Sequence, residues 1–430
     1  MPDVDYESLQ LAHLDELAHR YQRALAESGY DALLISSGAA PMRYGDDQAH
    51  HHHGYGPFLH WTGLTGVERS WLLIRPGQSP RLWLYTPEDF WHAPPERPTD
   101  AWTGVIDVTP TKTPDAPLMD DVGRLAVIGD PAGLAGIAGD HNPPALVRAV
   151  EATRVRKTDY EIVCLEQATA MAARGHKAAR AAFIDGASEF DISLAWQQAT
   201  GQREVEAPYH SIIGLNDHAG VLHYQHYART RGPARSLLID AGCRFRGYCS
   251  DITRTIAAPS EPRFAALITG LESLQRRLCE TVVPGLDYLA LHRQAHYGIA
   301  ALLAASGLVT GLDDAAMVEQ GITRAFFPHG LGHLLGIQVH DVGGRPVPPP
   351  VDAPLLRLTR PLEAGMVLTI EPGLYFIPSL LEPLLAGKLA AHLNRERIEE
   401  LAGCGGIRIE DNLLVTASGA RNLTRSFLPH

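Results

Sequence analysis

The first third of the chain combines one long helical pattern with several short apolar runs. Gly29 is expected to end a helix whose apolar positions recur at helical spacing: Leu14, Leu17, Ala18, Tyr21 and Leu25. Residues 144–150 predict another helix. Runs with the length of strands lie at 32–35, 71–74, 82–85 and 125–129. This mixture predicts a small α/β domain over residues 1–155.

A second domain is predicted over residues 156–430. Thr158 and Glu161 have the spacing of a capping box, as do Ser188 and Asp191, so each pair predicts the start of a helix. Two amphipathic helices are predicted at 262–282 and 288–306, and the chain after them is Gly-rich, Pro-rich and β-like. Long helices with antiparallel strands predict an α+β fold, in which helices cover one face of a curved sheet.

Two aspartates end neighbouring strand-like runs in this domain. Asp240 ends the apolar run 237–239, and Asp251 belongs to the run 248–253 that resumes after two glycines, so a hairpin is predicted. The hairpin brings two carboxylates side by side in apolar surroundings, where bound cations neutralise them best. For Asp240 alone, an aspartate in a turn is an equal alternative.

Three histidines follow within twelve residues. His329 and His333 are four positions apart, but Pro328, Gly330 and Gly332 argue against a helix there. The segment is therefore not a helical H-E-x-x-H zinc motif, which also requires a glutamate that is absent. Its glycines allow the backbone to approach a site closely while one imidazole enters it.

Two glutamates end further apolar strands. Glu371 precedes a Pro-Gly turn, and Glu410 alternates with Ile407 and Ile409. An exposed strand position is an equal alternative for Glu410 when it is considered by itself. The ligand-type residues together are Asp240, Asp251, His333, Glu371 and Glu410.

The set has four carboxylates and one imidazole, and the four negative carboxylates balance the charge of two divalent cations. Oxygen-rich ligation with one histidine favours Mn²⁺, Co²⁺ or Zn²⁺. Two such metals activate a shared water and polarise a carbonyl, which is hydrolytic chemistry. The sequence contains no nucleophile elbow, no phosphate-binding P-loop and no dinucleotide-binding glycine pattern.

Composition argues against some classes of partner and predicts the cellular compartment. The 430 residues carry a net charge of −12, which argues against nucleic acid and anionic membranes as partners. Five cysteines without a C-x-x-C pair are typical of a reducing compartment, so the cytoplasm is expected. The four-histidine run at 50–53 is interpreted as an exposed loop, because consecutive histidines do not point to one centre.

The motifs together resemble the pita-bread metallopeptidases, and within them the Xaa-Pro dipeptidase (prolidase) family of bacteria. The resemblance covers both domains and is strongest over residues 154–412. The motifs that carry it are Ile239-Asp240-Ala241-Gly242, Asp251-Ile252-Thr253-Arg254-Thr255, His329-Gly330-Leu331-Gly332-His333, Val339-His340-Asp341, Thr369-Ile370-Glu371-Pro372-Gly373 and Arg408-Ile409-Glu410-Asp411. It implies a C-terminal pita-bread domain that follows a smaller N-terminal α/β domain in the chain. It also implies a dipeptidase that uses a hydroxide bridging two metals.

The resemblance also assigns roles in the site. It implies that Asp240 chelates one metal, that Asp251 and Glu410 bridge both, and that His333 and Glu371 hold the other. Glu371 is also expected to shuttle the proton. The family's supporting histidines correspond to His223, His329 and His340, although His226 lies close to His223. Arg408 is expected to hold the residues of the site in place, and a surface ion pair is the alternative for it.

Substrate contacts are implied in the same way. Arg357 resembles the arginine that binds the dipeptide's C-terminal carboxylate, with Arg360 as a rival. Tyr375 is expected to contact substrate. In a homodimer, Asp46 or Asp47 and Trp61 would close the partner's pocket. The alternatives are an aminopeptidase P acting on longer Xaa-Pro peptides and a pita-bread module without catalysis.

Overall fold

The chain folds into two compact units. The computed structural model describes residues 4–91, 93–96, 98–119, 121–230 and 232–429. The N-terminal unit runs to Cys164 and includes Arg246–Tyr248, and the C-terminal unit comprises Leu165–Phe245 and the chain from Cys249 onward. Across the described ranges, no helix has the length and apolar character needed to span a bilayer.

The N-terminal unit is built on a six-stranded sheet. Its helices are α1 (Tyr6–Ser28), α2 (Gly56–Thr62) and α3 (Pro144–Ala152). Its strands are β1 (Ala32–Ser36), β2 (Trp71–Ile74), β3 (Arg81–Tyr85), β4 (Asp107–Thr111), β5 (Leu125–Ile128) and β6 (Asp140–His141). The strands lie in the order β4-β3-β2-β1-β5-β6, with β1 antiparallel to β2 and parallel to β5.

The apolar pattern predicted most of these elements. Helix α1 ends at Gly29, whose φ of 72° is the left-handed conformation expected of a glycine at a helix end. The predicted strands at 32–35, 71–74, 82–85 and 125–129 are confirmed as β1, β2, β3 and β5. Strand β4 was not predicted, because its sequence contains Pro110 and mostly polar residues; such a sequence suits the sheet edge that it occupies.

A buried polar cluster lies inside the N-terminal unit. His13 Nδ1 is 2.8 Å from Thr158 Oγ1, and His60 Nε2 is 3.4 Å from Glu161 Oε1. The Thr158 backbone amide donates to Glu161 Oε2 at 2.8 Å, so the predicted capping box is confirmed. Burial lowers the pKa of His13 to about 4, so this imidazole is neutral at neutral pH.

The remaining elements begin with a long helix that starts at the capping box. The helices are α4 (Asp159–Ile184), α5 (Glu189–Thr200), α6 (Pro262–Glu280), α7 (Tyr288–Ala305), α8 (Asp314–Glu319), α9 (Ile322–Phe326), α10 (Pro378–Ala386) and α11 (Arg395–Ala402). The strands are β7 (Ile212–Leu215), β8 (Ser236–Asp240), β9 (Arg244–Phe245), β10 (Tyr248–Cys249), β11 (Thr253–Ala257), β12 (Val367–Ile370), β13 (Gly373–Tyr375), β14 (Gly406–Arg408), β15 (Asp411–Val415) and β16 (Ala420–Asn422).

Two three-stranded sheets carry the candidate site. One has the order β11-β8-β7 and the other the order β12-β15-β16, while β13 pairs antiparallel with β14. The expectation of a β-like chain after residue 306 was wrong in part, because α8, α9, α10 and α11 lie there. These helices have five to nine residues, too short to give a sustained helical period between glycines and prolines.

A candidate metal centre between the strand ends

The two aspartates lie at the same end of an antiparallel pair. Asp240 is the last residue of β8 and lies opposite Thr253, and Asp251 comes two residues before β11. The Ala241 amide extends the pairing by donating to the Ile252 carbonyl at 3.1 Å. A Cβ at Gly242 would overlap the carbonyl oxygen of Ser250, so the turn closes this tightly only with glycine there. The predicted antiparallel pairing is confirmed, but the run 248–253 is not one strand, because β10 ends at Cys249 and pairs with β9 while β11 begins at Thr253.

An extended segment brings His333 beside Glu371. The Thr369 amide donates to the His333 carbonyl at 2.9 Å, and the Glu371 amide donates to the Leu331 carbonyl at 2.8 Å. A Cβ at Gly332 would overlap the Thr369 carbonyl oxygen, so glycine is required for this approach. The segment is not helical, as its proline and glycines predicted.

The imidazole of His333 is oriented for ligation. Its Nδ1 lies 3.1 Å from the Leu334 carbonyl, and a neutral ring that donates there keeps a free lone pair on Nε2. Nε2 lies 3.4 Å from Asp251 Oδ2 and 3.5 Å from Glu371 Oε1. Burial lowers the pKa of His333 to about 4, which favours the neutral form that metals require.

Glu410 enters the same group from the end of β14. It is 1% exposed, which rules out the alternative of an exposed strand position. Its Oε2 accepts a hydrogen bond from Thr253 Oγ1 at 2.7 Å. Its Oε1 is buried and has no hydrogen-bond partner among the residues that the structure describes. A buried carboxylate oxygen without a donor is unfavourable unless something else binds it.

The donor set fits divalent cations. Ligand atoms of Asp251, His333 and Glu410 all lie within 4.8 Å of one another. Burial, followed by repulsion from Glu410, raises the pKa of Glu371 well above its usual range. Burial, followed by repulsion from Asp240, raises the pKa of Asp251 well above its usual range, and burial, followed by repulsion from Asp251, does the same for Glu410. A cation removes this penalty, and oxygen ligands with one imidazole suit Mn²⁺ or Zn²⁺.

Arg408 connects the carboxylates to the neighbouring side chains. It donates from Nη2 to Asp240 Oδ2 at 2.6 Å, from Nη1 to Tyr375 Oη at 2.8 Å and from Nε to Thr253 Oγ1 at 3.1 Å. The Tyr375 hydroxyl is also 2.8 Å from His329 Nε2. The alternative of a surface ion pair is therefore wrong, because the guanidinium is buried inside the group.

Tyr209 is a site residue that the sequence analysis missed. Its hydroxyl lies 2.8 Å from Asp240 Oδ1 and 2.5 Å from Asp251 Oδ1. Burial and the charges of these carboxylates raise the pKa of Tyr209 well above its usual range, so the phenol remains protonated. It stands in an irregular segment before β7 with no motif around it, so local sequence carried no signal for it.

Two of the predicted supporting histidines, His223 and His340, are exposed. The His340 ring packs edge-on against His333, with their centroids 4.4 Å apart. Desolvation and the charge of His333 lower the pKa of His340 to about 3, and His223 acts on it in the same direction. His329 is the third, and its Nδ1 is 3.8 Å from Glu371 Oε2.

The structure distinguishes the two candidate arginines. Arg360 is engaged, because it donates to the Gly343 carbonyl at 2.7 Å and pairs with Glu363. Arg357 is exposed and forms no hydrogen bond or ion pair within the described part of the chain. Its charge nevertheless acts on the pKa of His333, His340 and Glu371. Of the two candidates, Arg357 is thus the one without a partner among the described residues.

Asp46 and Trp61, the residues of the N-terminal unit expected to close a partner's pocket, have different surroundings. Asp46 is exposed in a loop, where its Oδ1 accepts from the amide of Asp47 at 2.7 Å. Trp61 is 2% exposed and packs against Tyr21 inside its own unit, so its ring does not face solvent. The four-histidine run lies in a loop whose residues are mostly exposed, as expected.

Comparison with known proteins gives consistent relationships along the whole chain. Residues 163–417 match the model of "Metallopeptidase family M24", and residues 8–151 match "Xaa-Pro dipeptidase, N-terminal domain". The chain is 68% identical over 427 residues to the Xaa-Pro dipeptidase of Marinobacter nauticus, covering 99% of both chains. It is 42% identical over 437 residues to the Xaa-Pro dipeptidase of Stenotrophomonas maltophilia, covering 99% of this chain and 98% of that protein.

Solved structures share the fold at low sequence identity. Aminopeptidase PepP of Pseudomonas aeruginosa superposes with a TM-score of 0.71 at 22% identity, over 96% of this chain and 95% of that one. Proline aminopeptidase P II of Yersinia pestis superposes with a TM-score of 0.69 at 23% identity, over 96% of both chains. At this identity the likeness concerns the arrangement of helices and strands.

Proposed function

Because the chain belongs to metallopeptidase family M24, we propose that it is a two-metal dipeptidase that hydrolyses Xaa-Pro dipeptides. The predicted fold, a pita-bread domain with a smaller N-terminal domain, is confirmed by the family models and the solved structures. The observation that carries the proposed chemistry is the buried cluster of Asp251, His333 and Glu410. The choice of substrate rests on the relatives and on Arg357.

We propose that five side chains hold the metals: Asp240, Asp251, His333, Glu371 and Glu410. The orphaned Oε1 of Glu410 and the lone pair on His333 Nε2 support this set. Divalent cations bound there supply Lewis-acid activation of water and of the scissile carbonyl. We propose Mn²⁺ as the native ion, because carboxylates dominate the donor set.

Glu371 is proposed to accept a proton from the attacking water and to give it back later in the reaction. Burial and repulsion from Glu410 raise its pKa well above the usual carboxyl range when no cation is bound, and a positioned carboxyl group is a common general acid and base. Its Oε2 is 3.8 Å from His329 Nδ1, so the neighbouring imidazole limits where this carboxylate turns. His329 is held in turn by the Tyr375 hydroxyl and the Gly330 carbonyl, each at 2.8 Å.

The substrate's two ends are proposed to meet different residues. Arg357 binds the C-terminal carboxylate of the dipeptide, since a guanidinium fork matches a carboxylate and this one has no competing partner in the described ranges. His223 and His340 are exposed and donate to the scissile carbonyl as it becomes an oxyanion. Pairing a cation with that terminal carboxylate favours dipeptides over longer peptides.

We also propose a cytoplasmic homodimer. None of the five cysteines forms a disulfide, which supports a reducing compartment. The resemblance to prolidases supports a dimer in which Asp46 reaches the partner's site, since its carboxylate is exposed. Trp61 would have to leave the core of its unit to take part. Sedimentation of the wild type and of Asp46→Ala, with Ala-Pro kinetics for both, tests this arrangement.

The central experiment measures hydrolysis of Gly-Pro, Ala-Pro and Ala-Pro-Ala by metal-free protein, with and without added Mn²⁺. Cleavage of the dipeptides alone, and only with metal, is expected. Glu371→Gln is expected to lower kcat by about 10²–10⁴-fold, the range typical of a lost general acid–base group. Glu363→Gln is the matched control, because Glu363 is half exposed and paired with Arg360 outside the site.

Each contrary result points to a specific revision. Equal efficiency on Ala-Pro-Ala would make the protein an aminopeptidase P. Full activity of Glu371→Gln would remove that residue from the mechanism. Failure to cleave any of the three peptides with Mn²⁺, Co²⁺ or Zn²⁺ present would overturn the dipeptidase proposal.

A further inference from the structure

Glu189 is a buried carboxylate outside the candidate site that accepts four hydrogen bonds. It stands at the first position of α5 and is fully buried. Its Oε1 accepts from the Leu215 amide and from His218 Nδ1, each at 2.7 Å. Its Oε2 accepts from the Tyr224 hydroxyl and the Ala228 amide, also at 2.7 Å. Each carboxylate oxygen thus accepts from two donors, which uses its full accepting capacity.

All four donors belong to one stretch of chain, residues 215–228. This stretch leaves β7 through a short 3₁₀ turn, Asn216–Gly220, and then has no regular structure until β8. A chain without strand or helix pairing depends on side chains to fix its path. Glu189 is bonded at both ends of the stretch and at two points within it, so it acts as the common anchor.

The stretch carries His223. This imidazole is exposed, and it directly precedes Tyr224 in the chain. The anchored neighbours on either side are His218 and Tyr224, whose rings stack with centroids 4.4 Å apart. Tyr224 also belongs to the apolar cluster that contains Tyr375, the partner of His329 and Arg408.

We propose that Glu189 is a positioning residue that holds residues 215–228 so that His223 faces the metal centre. Glu189 itself does not touch substrate or metal; it acts through His223. The proposal rests on the proposed function, because it gives His223 its role in the hydrolysis. A side-chain amide cannot replace the carboxylate, since its NH₂ would face two of the four donors and leave them unsatisfied.

The test is a double-mutant cycle on Ala-Pro hydrolysis with Mn²⁺. Glu189→Gln is expected to lower kcat/KM by about 10–100-fold, the usual cost of losing an outer positioning contact. In a His223→Ala background the same substitution is expected to change kcat/KM by less than about twofold, since residues that act through each other are not additive. Asp191→Asn is the matched control: it makes the same chemical change in the first turn of α5, where the Asp191 carboxylate accepts a hydrogen bond from the hydroxyl of the N-cap residue Ser188.

Two outcomes of the cycle would overturn the proposal. One is undiminished activity in Glu189→Gln. The other is an equally large loss in the presence and absence of His223, as expected if Glu189 only stabilises the fold. A smaller loss of the same kind is expected for Tyr224→Phe, which removes one donor, keeps the ring in its cluster, and serves if Glu189→Gln fails to fold.

Hydrogen exchange separates this proposal from the proposed function. The amides of Leu215 and Ala228 are expected to exchange faster in Glu189→Gln than in the wild type, while those of α5 beyond its first turn keep their protection. Unchanged exchange at residues 215–228 would overturn the anchoring role whatever the activity. If the wild type cleaves no dipeptide, but the exchange at residues 215–228 still differs between Glu189→Gln and the wild type, the proposed function is overturned and the anchoring role of Glu189 stands.

Discussion

Arg408 Nη2 lies 2.6 Å from Asp240 Oδ2, and this ion pair is almost completely shielded from water. The same guanidinium also holds Tyr375 and Thr253. One planar group therefore orients a candidate ligand, a neighbour of His329 and the threonine that bonds to Glu410. A lysine ammonium has a single nitrogen and cannot reach three such partners in fixed directions.

Arg408→Lys is therefore expected to weaken Mn²⁺ binding by about 10–100-fold, the usual effect of losing a contact that orients a metal ligand. Titration of metal-free protein with Mn²⁺, followed by calorimetry and by recovery of activity, measures this. Arg263→Lys is the control, because Arg263 pairs with Glu400 at the surface. Equal Mn²⁺ affinity of Arg408→Lys and the wild type would contradict the orienting role.

Arg357→Ala is expected to remove the preference for a free C-terminal carboxylate. A hydrogen bond to a charged group contributes about 1.5–3 kcal/mol, so kcat/KM for Ala-Pro should fall roughly 10–100-fold. Hydrolysis of Ala-Pro amide, which lacks the carboxylate, should change little. Arg360→Ala, which breaks contacts to Gly343 and Glu363, should leave the ratio of the two rates unchanged. If the ratio of Ala-Pro to Ala-Pro amide hydrolysis changes in Arg360→Ala and not in Arg357→Ala, Arg360 is the residue that binds the C-terminal carboxylate.

The metal-free protein is expected to lose stability as the pH rises. The pKa of Glu410 is raised in the folded protein by burial and by Asp251, so folded protein binds more protons than unfolded protein above the ordinary carboxyl pKa. The stabilisation is complete below that ordinary pKa and is lost as the pH rises through the folded value. Tm should therefore fall between about pH 5 and 8 without metal, and Mn²⁺ should restore it.

Glu410→Gln tests the cause of that pH dependence. Removing one buried charge should raise the Tm of metal-free protein at pH 8 and reduce the further gain from Mn²⁺. The exposed Glu382→Gln should do neither. A metal-free wild type whose Tm is constant over this range would show that repulsion among these carboxyls does not govern stability.

The N-terminal unit is expected to respond to pH in the opposite direction. Burial holds the pKa of His13 near 4 in the folded protein, against 6.5 for an ordinary histidine. Unfolded protein therefore binds the extra proton first, and stability falls as the pH drops from about 6.5 to 4. His13→Gln should flatten this part of the Tm profile, whereas substitution of the exposed His19 should not. An unchanged profile in His13→Gln would refute the assignment.

The five candidate metal ligands could be predicted from sequence because each stands at the end of an apolar strand or beside glycines. These local patterns mark where strands end or where the backbone makes a close approach. They correctly placed Asp240 and Asp251 at one end of a hairpin. The exposed alternative for Glu410 failed because the alternation seen in sequence does not reveal which face of β14 another element covers.

Residues that act through long-range contacts could not be predicted in this way. Glu189 has the sequence appearance of an ordinary acidic residue in the first turn of a helix, and its four donors lie 26 to 39 positions away. Tyr209 reaches Asp240 and Asp251 from a segment without pattern. Trp61 was assigned by resemblance to a pocket, yet it fills the core of its own unit. Such placements depend on tertiary packing.

Thr253 and Glu410, which share a hydrogen bond in the finished site, are 157 positions apart in the chain. Ribosomes add about 5–20 residues per second, so the Asp240–Asp251 hairpin emerges on the order of ten seconds before its last partner is made. During that interval no complete pocket exists for an ion. The full set of proposed metal ligands can therefore meet only after Glu410 has been made, so the proposed site would take its ion from the free metal present where folding ends.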